Sequence, residues 1–153
     1  MNYGCEAAIG AVCGLRAFMG PAITAGAANR RDLQLKKTPL AWLGTDRTAT
    51  IAVLMAAGEL LADKLPFMPS RTRTPSLATR FISGAICAAA IAGHRKPAEK
   101  IMSAIVGGTA AVAAAYAGYE YRRHVRLPRL AAALLEDSVA VGVGNVVIAS
   151  ACP

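Results

Sequence analysis

The chain has 153 residues, which suits a single domain, and it carries a formal net charge of +8. Hydrophobic residues make up 55% of the chain, charged residues 17% and aromatic residues only 5%. The basic residues lie between apolar segments and form no single stripe. The charge therefore argues against a nucleic-acid-binding protein and favours contacts with lipid headgroups.

The apolar content is dominated by small residues, and the mean hydropathy is positive at +0.42. Alanine and glycine allow helices to approach closely in a lipid bilayer. The composition predicts an integral membrane protein, with a soluble alanine-rich helical bundle as the alternative. The four cysteines (Cys5, Cys13, Cys87 and Cys152) show no metal-ligand spacing. We therefore expect no metal and no other cofactor.

Five apolar segments predict about five helices in one transmembrane domain spanning residues 1–153. They cover approximately residues 5–28, 48–65, 77–93, 101–121 and 128–152. About 20 helical residues cross a bilayer, so the first, fourth and fifth segments are long enough and the other two are marginal. The expected fold class is an all-α integral membrane helical bundle.

The first segment contains Gly20-Pro21, where we expect the helix to be broken or kinked because proline removes a helix hydrogen bond. A broken helix lines a functional site in many transporters, whereas a kink is also an ordinary packing feature. Gly10 and Gly14 form a GxxxG pair that suits close helix packing. The N-terminus lacks the basic region of a signal peptide, so we expect this segment to be retained.

Glu59 lies in the second half of the second segment, with Asp63 and Lys64 at its boundary. The link to the third segment contains three prolines and is expected to be extended. Arginines around this link fit either a phosphate contact or a solvated loop: Arg71, Arg73 and Arg80.

The fourth segment ends in aromatic and then basic residues, Tyr119-Glu120-Tyr121-Arg122. This pattern is typical of the interfacial belt of a membrane protein, and contact with an anionic lipid or substrate is the alternative. Pro128 then stands where a proline would start the fifth helix. Five residues near segment ends are predicted as secondary polar contacts: Asp63, Lys64, Arg71, Arg73 and Glu120.

A weak internal repeat is also suggested. Phe18 to Ala25 resembles Phe81 to Ala88, and the surroundings of Glu59 resemble those of Glu136. The two offsets are 63 and 77 residues, so one rigid repeat does not explain both. Alanine-rich helices also resemble one another without common origin, and the duplication stays a hypothesis.

Four charged residues lie deep inside the apolar segments: Arg16, Glu59, Glu136 and Asp137. Charge at that depth is costly and is usually kept for function. One arginine paired with one carboxylate leaves two carboxylates, which must be protonated, face water or receive a cation. This deficit favours a proton- or cation-linked role, with Arg16 as the counter-ion. Because adjacent helical residues point about 100° apart, Glu136 and Asp137 are expected to face different neighbours.

Several ordered motifs are similar to one known family. They are Gly14-Leu-Arg16-Ala-Phe-Met-Gly-Pro21-Ala, Gly58-Glu59-Leu-Leu-Ala-Asp63-Lys64-Leu-Pro66, Arg71-Thr-Arg73-Thr-Pro75, Ala117-Gly-Tyr119-Glu120-Tyr121-Arg-Arg and Leu134-Leu-Glu136-Asp137-Ser-Val-Ala-Val-Gly142. Together they resemble an uncharacterised bacterial membrane family, domain of unknown function number 4126. The resemblance covers nearly the whole chain and implies an integral membrane protein with these acidic motifs as hallmarks. It implies no activity.

Two functional hypotheses follow for a multi-pass protein of the bacterial inner membrane. The first is a small proton- or cation-coupled transporter or channel that uses Glu59, Glu136 and Asp137. The second is a non-transporting scaffold or accessory subunit whose buried charges fix helix packing. An enzyme is not expected, because no nucleophile, metal or phosphate-loop pattern is present.

The expected partners are the lipid bilayer, a proton or small cation, and a second copy of the chain. With five crossings, each side of the membrane would carry eight basic residues, so the bias that usually orients a membrane protein is missing. Dual insertion as an antiparallel dimer would explain the balance, and so would a wrong number of crossings. The GxxxG surface favours a homodimer.

Overall fold

The computed structural model describes residues 3–33, 35, 38–62, 74–93, 95–124 and 129–151. Within these residues the protein has six α-helices, one short 3-10 helix and no strand, which confirms the all-α class. The helices are α1 (Gly4–Leu15), α2 (Met19–Asn29), α3 (Asp46–Ala62), α4 (Thr74–Ile91), α5 (Pro97–His124) and α6 (Arg129–Ala151); the 3-10 helix is Ala41–Gly44.

The first apolar segment forms two helices, α1 and α2, as the proline predicted. The break lies at Arg16–Phe18, one turn before Gly20-Pro21, and Arg16 has an extended backbone with φ −138° and ψ 111°. Proline lacks an N–H and its ring clashes with the carbonyl four residues earlier. That carbonyl belongs to Ala17, so a continuous helix fails there. Pro21 itself fits the first turn of α2, where no N–H is needed.

The two short helices fold back on each other as a hairpin. A Cβ atom on Gly20 would collide with the Cys13 sulfur, although seven residues of continuous helix would separate the two by about 10 Å. The end of α2 packs with Ala90 near the end of α4, and the start of α1 reaches Arg95 just beyond α4. Both open ends of the hairpin therefore lie on one side of the bundle, and its tip, residues 16–18, lies in the interior.

Glycines bring α1, α4 and α5 into backbone contact. A Cβ atom on Gly10 or Gly14 would collide with the carbonyl oxygen of Gly107 or Ala111 in α5. A Cβ atom on Gly84 in α4 would lie 2.6 Å from the Gly107 oxygen. The predicted GxxxG pair is thus used inside the chain, between α1 and α5. It offers no surface for the predicted homodimer, which stays a prediction.

The bundle has small residues inside and large apolar residues outside. Its buried core consists largely of alanine, with two cysteines and a few larger residues such as Ile9, Leu43 and Ile148. Leu54, Ile101 and Val146, in contrast, are 65%, 63% and 65% exposed. Water-soluble proteins rarely expose apolar surface on this scale. Three helical stretches are long and apolar enough to cross a membrane: Thr74–Ile91, Pro97–His124 and Ala131–Ser150.

The two segments that suggested a repeat occupy different places in the fold. Phe18 precedes α2, whereas Phe81 lies inside α4. The structure therefore adds no support for a duplication, which stays a hypothesis.

Candidate functional site

The tip of the α1–α2 hairpin carries Arg16, which is only 1% exposed. Its Nε donates a hydrogen bond to Oδ1 of Asp137 on α6 at 2.6 Å. The extended backbone at residue 16 turns this side chain out of the α1 helix and towards α6. The pair therefore ties the hairpin tip to the C-terminal helix.

Glu59 on α3 binds the backbone of the same tip. Its Oε1 accepts a hydrogen bond from the Ala17 N–H at 2.9 Å, and its Oε2 accepts one from the Phe18 N–H at 3.0 Å. These N–H groups stand at the entry to α2, where a helix has unsatisfied donors and a partial positive charge. A carboxylate with one oxygen on each donor fits such a site.

Arg80 on α4 completes the tip from the other side. It is 4% exposed, and its Nη1 donates a hydrogen bond to the carbonyl oxygen of Gly14 in the last turn of α1. Its Nη2 lies 3.8 Å from Oε1 of Glu59. A cation thus stands at the negative end of α1 and an anion at the positive end of α2. The sequence fits either a phosphate contact or a solvated loop at Arg80, and the burial of this side chain excludes the solvated loop.

Glu136 makes a separate bidentate ion pair near the tip. Nε and Nη2 of Arg122 on α5 each donate to one Glu136 oxygen, both at 2.5 Å. Glu136 and Asp137 therefore face different arginines, as their helical spacing predicted. Glu120, a predicted secondary contact, is exposed and lies 3.6 Å from His124 on the surface of α5. It does not join the interior site.

The predicted excess of two carboxylates is wrong. Arg80 and Arg122 reach the interior together with Arg16, so three arginines face the three carboxylates among the described residues. Sequence counting missed both arginines because each lies near the end of an apolar segment. A long side chain can bring its charge several ångströms away from its own Cα, and this reach is invisible in a count of segment depth.

A further buried carboxylate was missed altogether. Glu6 on α1 is 1% exposed, and its Oε1 lies 2.8 Å from Nη2 of Arg95, whose guanidinium stacks 5.1 Å from the Tyr3 ring centre. The sequence contained a usable signal, because Glu6, Gly10 and Gly14 are spaced by four and share one helix face. This pair lies at the open end of the hairpin, away from the tip.

The other predicted contacts, Asp63, Lys64, Arg71 and Arg73, lie outside the described residues. Within the part of the chain that is described, no group of three or more His, Cys, Asp or Glu side chains has the arrangement of a metal site. The carboxylate and guanidinium groups at the tip are suited to ion pairing and to proton transfer.

A family model described as "Domain of unknown function (DUF4126)" matches residues 4–152. The match spans nearly the whole chain and agrees with the resemblance of the charged motifs. No curated protein and no solved structure matches the chain.

Proposed function

The chain belongs to the DUF4126 family, and from its site geometry we propose that it is a small integral membrane transporter driven by protons, in which Glu59 latches the hairpin tip. The observation that carries this proposal is the contact of both Glu59 oxygens with the Ala17 and Phe18 N–H groups. We further propose the bacterial inner membrane as its location.

In a bilayer, each of the two hairpin helices is too short to cross. Its helices have 12 and 11 residues, or about 18 and 17 Å, against about 30 Å of bilayer hydrocarbon. In this setting α1 and α2 form a re-entrant hairpin that enters and leaves on one side. Exposed backbone at such depth is tolerated only inside protein or along a water-filled cavity, and discontinuous helices of this kind bind substrates in transporters.

Glu59 is the carboxylate best placed to act as a switch. Protonation would remove the charge that attracts the α2 N-terminus and the nearby Arg80. Hydrogen bonds to a charged group contribute about 1.5–3 kcal/mol each, so losing the charge can shift the latch equilibrium at least tenfold. The helix that carries Glu59 packs on α2 through three small residues, Ala49, Ala52 and Ala56, which makes its separation inexpensive.

The other two carboxylates suit an anchoring role. Glu136 has two short bonds to Arg122, and Asp137 has one to Arg16, so both gain most from staying charged. Their neutralisation by arginine also favours a proton over a metal cation as the coupled ion. Within the proposal, Arg80 is the charge that an anionic solute would meet once Glu59 is released.

A non-transporting scaffold is the second candidate. It is supported by the same ion pairs, because each joins two separate elements of the bundle: the hairpin tip with α6, α3 with α4, and α5 with α6. Such pairs can fix helix register without carrying any ion.

Proton flux into liposomes separates the two candidates. Purified protein is reconstituted with an internal pH dye, and Glu59→Gln is compared with Glu136→Gln and with the exposed control Glu120→Gln. We expect wild type and Glu120→Gln to conduct protons down a gradient, and Glu59→Gln to lose at least tenfold in rate while remaining folded.

A wild-type protein without flux, in which Glu59→Gln and Glu136→Gln only lower the unfolding temperature, would establish the scaffold. Loss of flux in Glu136→Gln but not in Glu59→Gln would show that Glu136, and not Glu59, carries the proton, which would contradict the proposal.

A further inference from the structure

The outward face of α6 has an unusual composition for a helix that faces lipid. Its buried face consists of residues spaced by three and four: Ala132, Glu136, Ala140, Gly144, Val147 and Ile148. On the opposite face a second row repeats with alternating spacings of four and three: Ala131, Leu135, Ser138, Gly142, Asn145 and Ala149. We call this row the α6 seam. Residues with this spacing lie along one side of an α-helix.

Polar atoms lie in the middle of the seam. Asn145 is exposed, and its Nδ2 donates only to the Val141 carbonyl of its own helix, at 2.9 Å. Among the described residues its Oδ1 accepts no hydrogen bond. Ser138 is exposed as well and donates to Leu134 of the same helix. Amide and hydroxyl groups in hydrocarbon form bonds between helices where they can, because lipid offers them none.

Gly142 leaves an open notch between these two polar residues. An added Cβ atom there would meet no heavy atom within 4 Å, whereas one on Gly144 would collide with Ile23. Gly144 thus packs against α2 of the same chain, whereas Gly142 faces open space among the described residues. Since α6 packs on α1 and α2, its seam points away from the bundle.

We propose that the α6 seam is the surface on which a second copy of this chain docks. A carboxamide is both donor and acceptor, so Asn145 can bond its own counterpart across a two-fold axis, or the partner's Ser138 if the two helices run in opposite directions. The glycine notch permits the close approach that these bonds require. This surface replaces the Gly10/Gly14 pair, and the inference does not depend on transport.

Self-association in liposomes tests the proposal. Chains labelled with donor or acceptor dyes are mixed, and energy transfer is followed while the protein is diluted with lipid. Gly142→Leu blocks the notch, Asn145→Leu removes the polar bond, and Gly58→Leu is the matched control, because Gly58 on α3 is also open within 4 Å. Circular dichroism verifies that each variant keeps its helices.

We expect wild type and Gly58→Leu to associate equally. Asn145→Leu should dissociate at about three- to tenfold higher protein density, which is the range of one interhelical hydrogen bond. Gly142→Leu should shift dissociation at least tenfold. Should Gly142→Leu lose its fold, Asn145→Leu together with disulfide cross-linking decides the matter.

Cross-linking uses cysteine at seam and off-seam positions. Cross-links between two Asn145→Cys chains, or between Asn145→Cys and Ser138→Cys, support the seam and report its direction. Cross-links confined to the off-seam control Val139→Cys overturn it. The proposal also fails if wild type stays monomeric at every density, or if Gly58→Leu weakens association as much as Gly142→Leu.

Discussion

At the scale of single residues, each of the three carboxylates at or near the hairpin tip lies against an arginine of another element. Glu136 is 6% exposed and bound by both nitrogens of one edge of Arg122. A buried pair of this kind contributes little compared with an apolar pair of similar shape, but breaking it leaves an uncompensated charge. A single substitution that removes one partner should therefore destabilise the protein more than a double substitution that replaces both partners with apolar residues.

We accordingly expect Arg122→Met to lower the free energy of unfolding by about 2–4 kcal/mol, because Glu136 would remain charged without its partner. The double variant Arg122→Met/Glu136→Met should recover most of that loss. Unfolding in mixed detergent, analysed as a double-mutant cycle, measures the coupling. Additive losses in the double variant would contradict the pairing.

Whether the burial of each charged residue could be predicted depended on its position within an apolar segment. Arg16, Glu59, Glu136 and Asp137 stand inside apolar segments, so their partial or full burial could be inferred from position alone. Arg80 and Arg122 lie near segment ends, where an arginine usually faces water, and only the packing of α4 and α5 brings them inward. Their absence from the count produced the false excess of carboxylates.

At the scale of helices, glycine decides which faces meet. The atom that a Cβ on Gly10 would strike is a backbone oxygen of α5, which cannot rotate away as a side chain can. On α3, by contrast, a Cβ on Gly58 meets nothing within 4 Å. The same substitution should therefore have opposite effects at these two positions.

Gly10→Ala should destabilise the protein by about 1–3 kcal/mol through overpacking against Gly107. Gly58→Ala should stabilise it by about 0.5–1 kcal/mol, because alanine restricts the unfolded chain and fits the helix without a clash. Thermal unfolding in detergent checks both signs. Equal shifts in the same direction would show that α1 and α5 are not in backbone contact.

The sequence predicted the interruption of the first helix but not the reversal of the chain. Pro21 specifies that a helix cannot continue through residue 17, and it carries no information on the angle between the two halves. The reversal depends on contacts made from elsewhere: Glu59 on the tip backbone, Asp137 on Arg16, and the Cys13 sulfur against Gly20. Those contacts come from residues far along the chain and are not encoded in the first segment itself.

At the scale of the whole molecule, the hairpin changes the expected path through the bilayer. A first segment that crosses would place residue 3 and residue 38 on opposite faces. The structure places both ends of the hairpin beside the end of α4, on one side of the bundle, and the proposed membrane setting puts them on the same face of the bilayer. If the Pro97–His124 helix crosses the bilayer as proposed, it carries its C-terminus to the other face.

Cysteine labelling from one side of sealed vesicles tests this path, in a background with Cys5 and Cys152 replaced by alanine. Tyr3→Cys and Thr38→Cys should react with an impermeant maleimide from the same face, and His124→Cys from the opposite face. Reaction of Tyr3→Cys and Thr38→Cys from opposite faces would show a crossing first segment. Reaction of each site from both faces would show dual insertion.

The bond between Arg16 and Asp137 joins residues that are 121 positions apart, and this separation constrains the order of biogenesis. Helices α1 and α2 leave the ribosome long before α6 exists. Until then the arginine has no carboxylate on α6 to accompany it into hydrocarbon, and neither half of the hairpin is long enough to be integrated as a span. In the proposed membrane setting, we therefore expect the N-terminal hairpin to stay at the membrane surface while the later helices are inserted. The segment synthesised first would then be the last to reach its native depth.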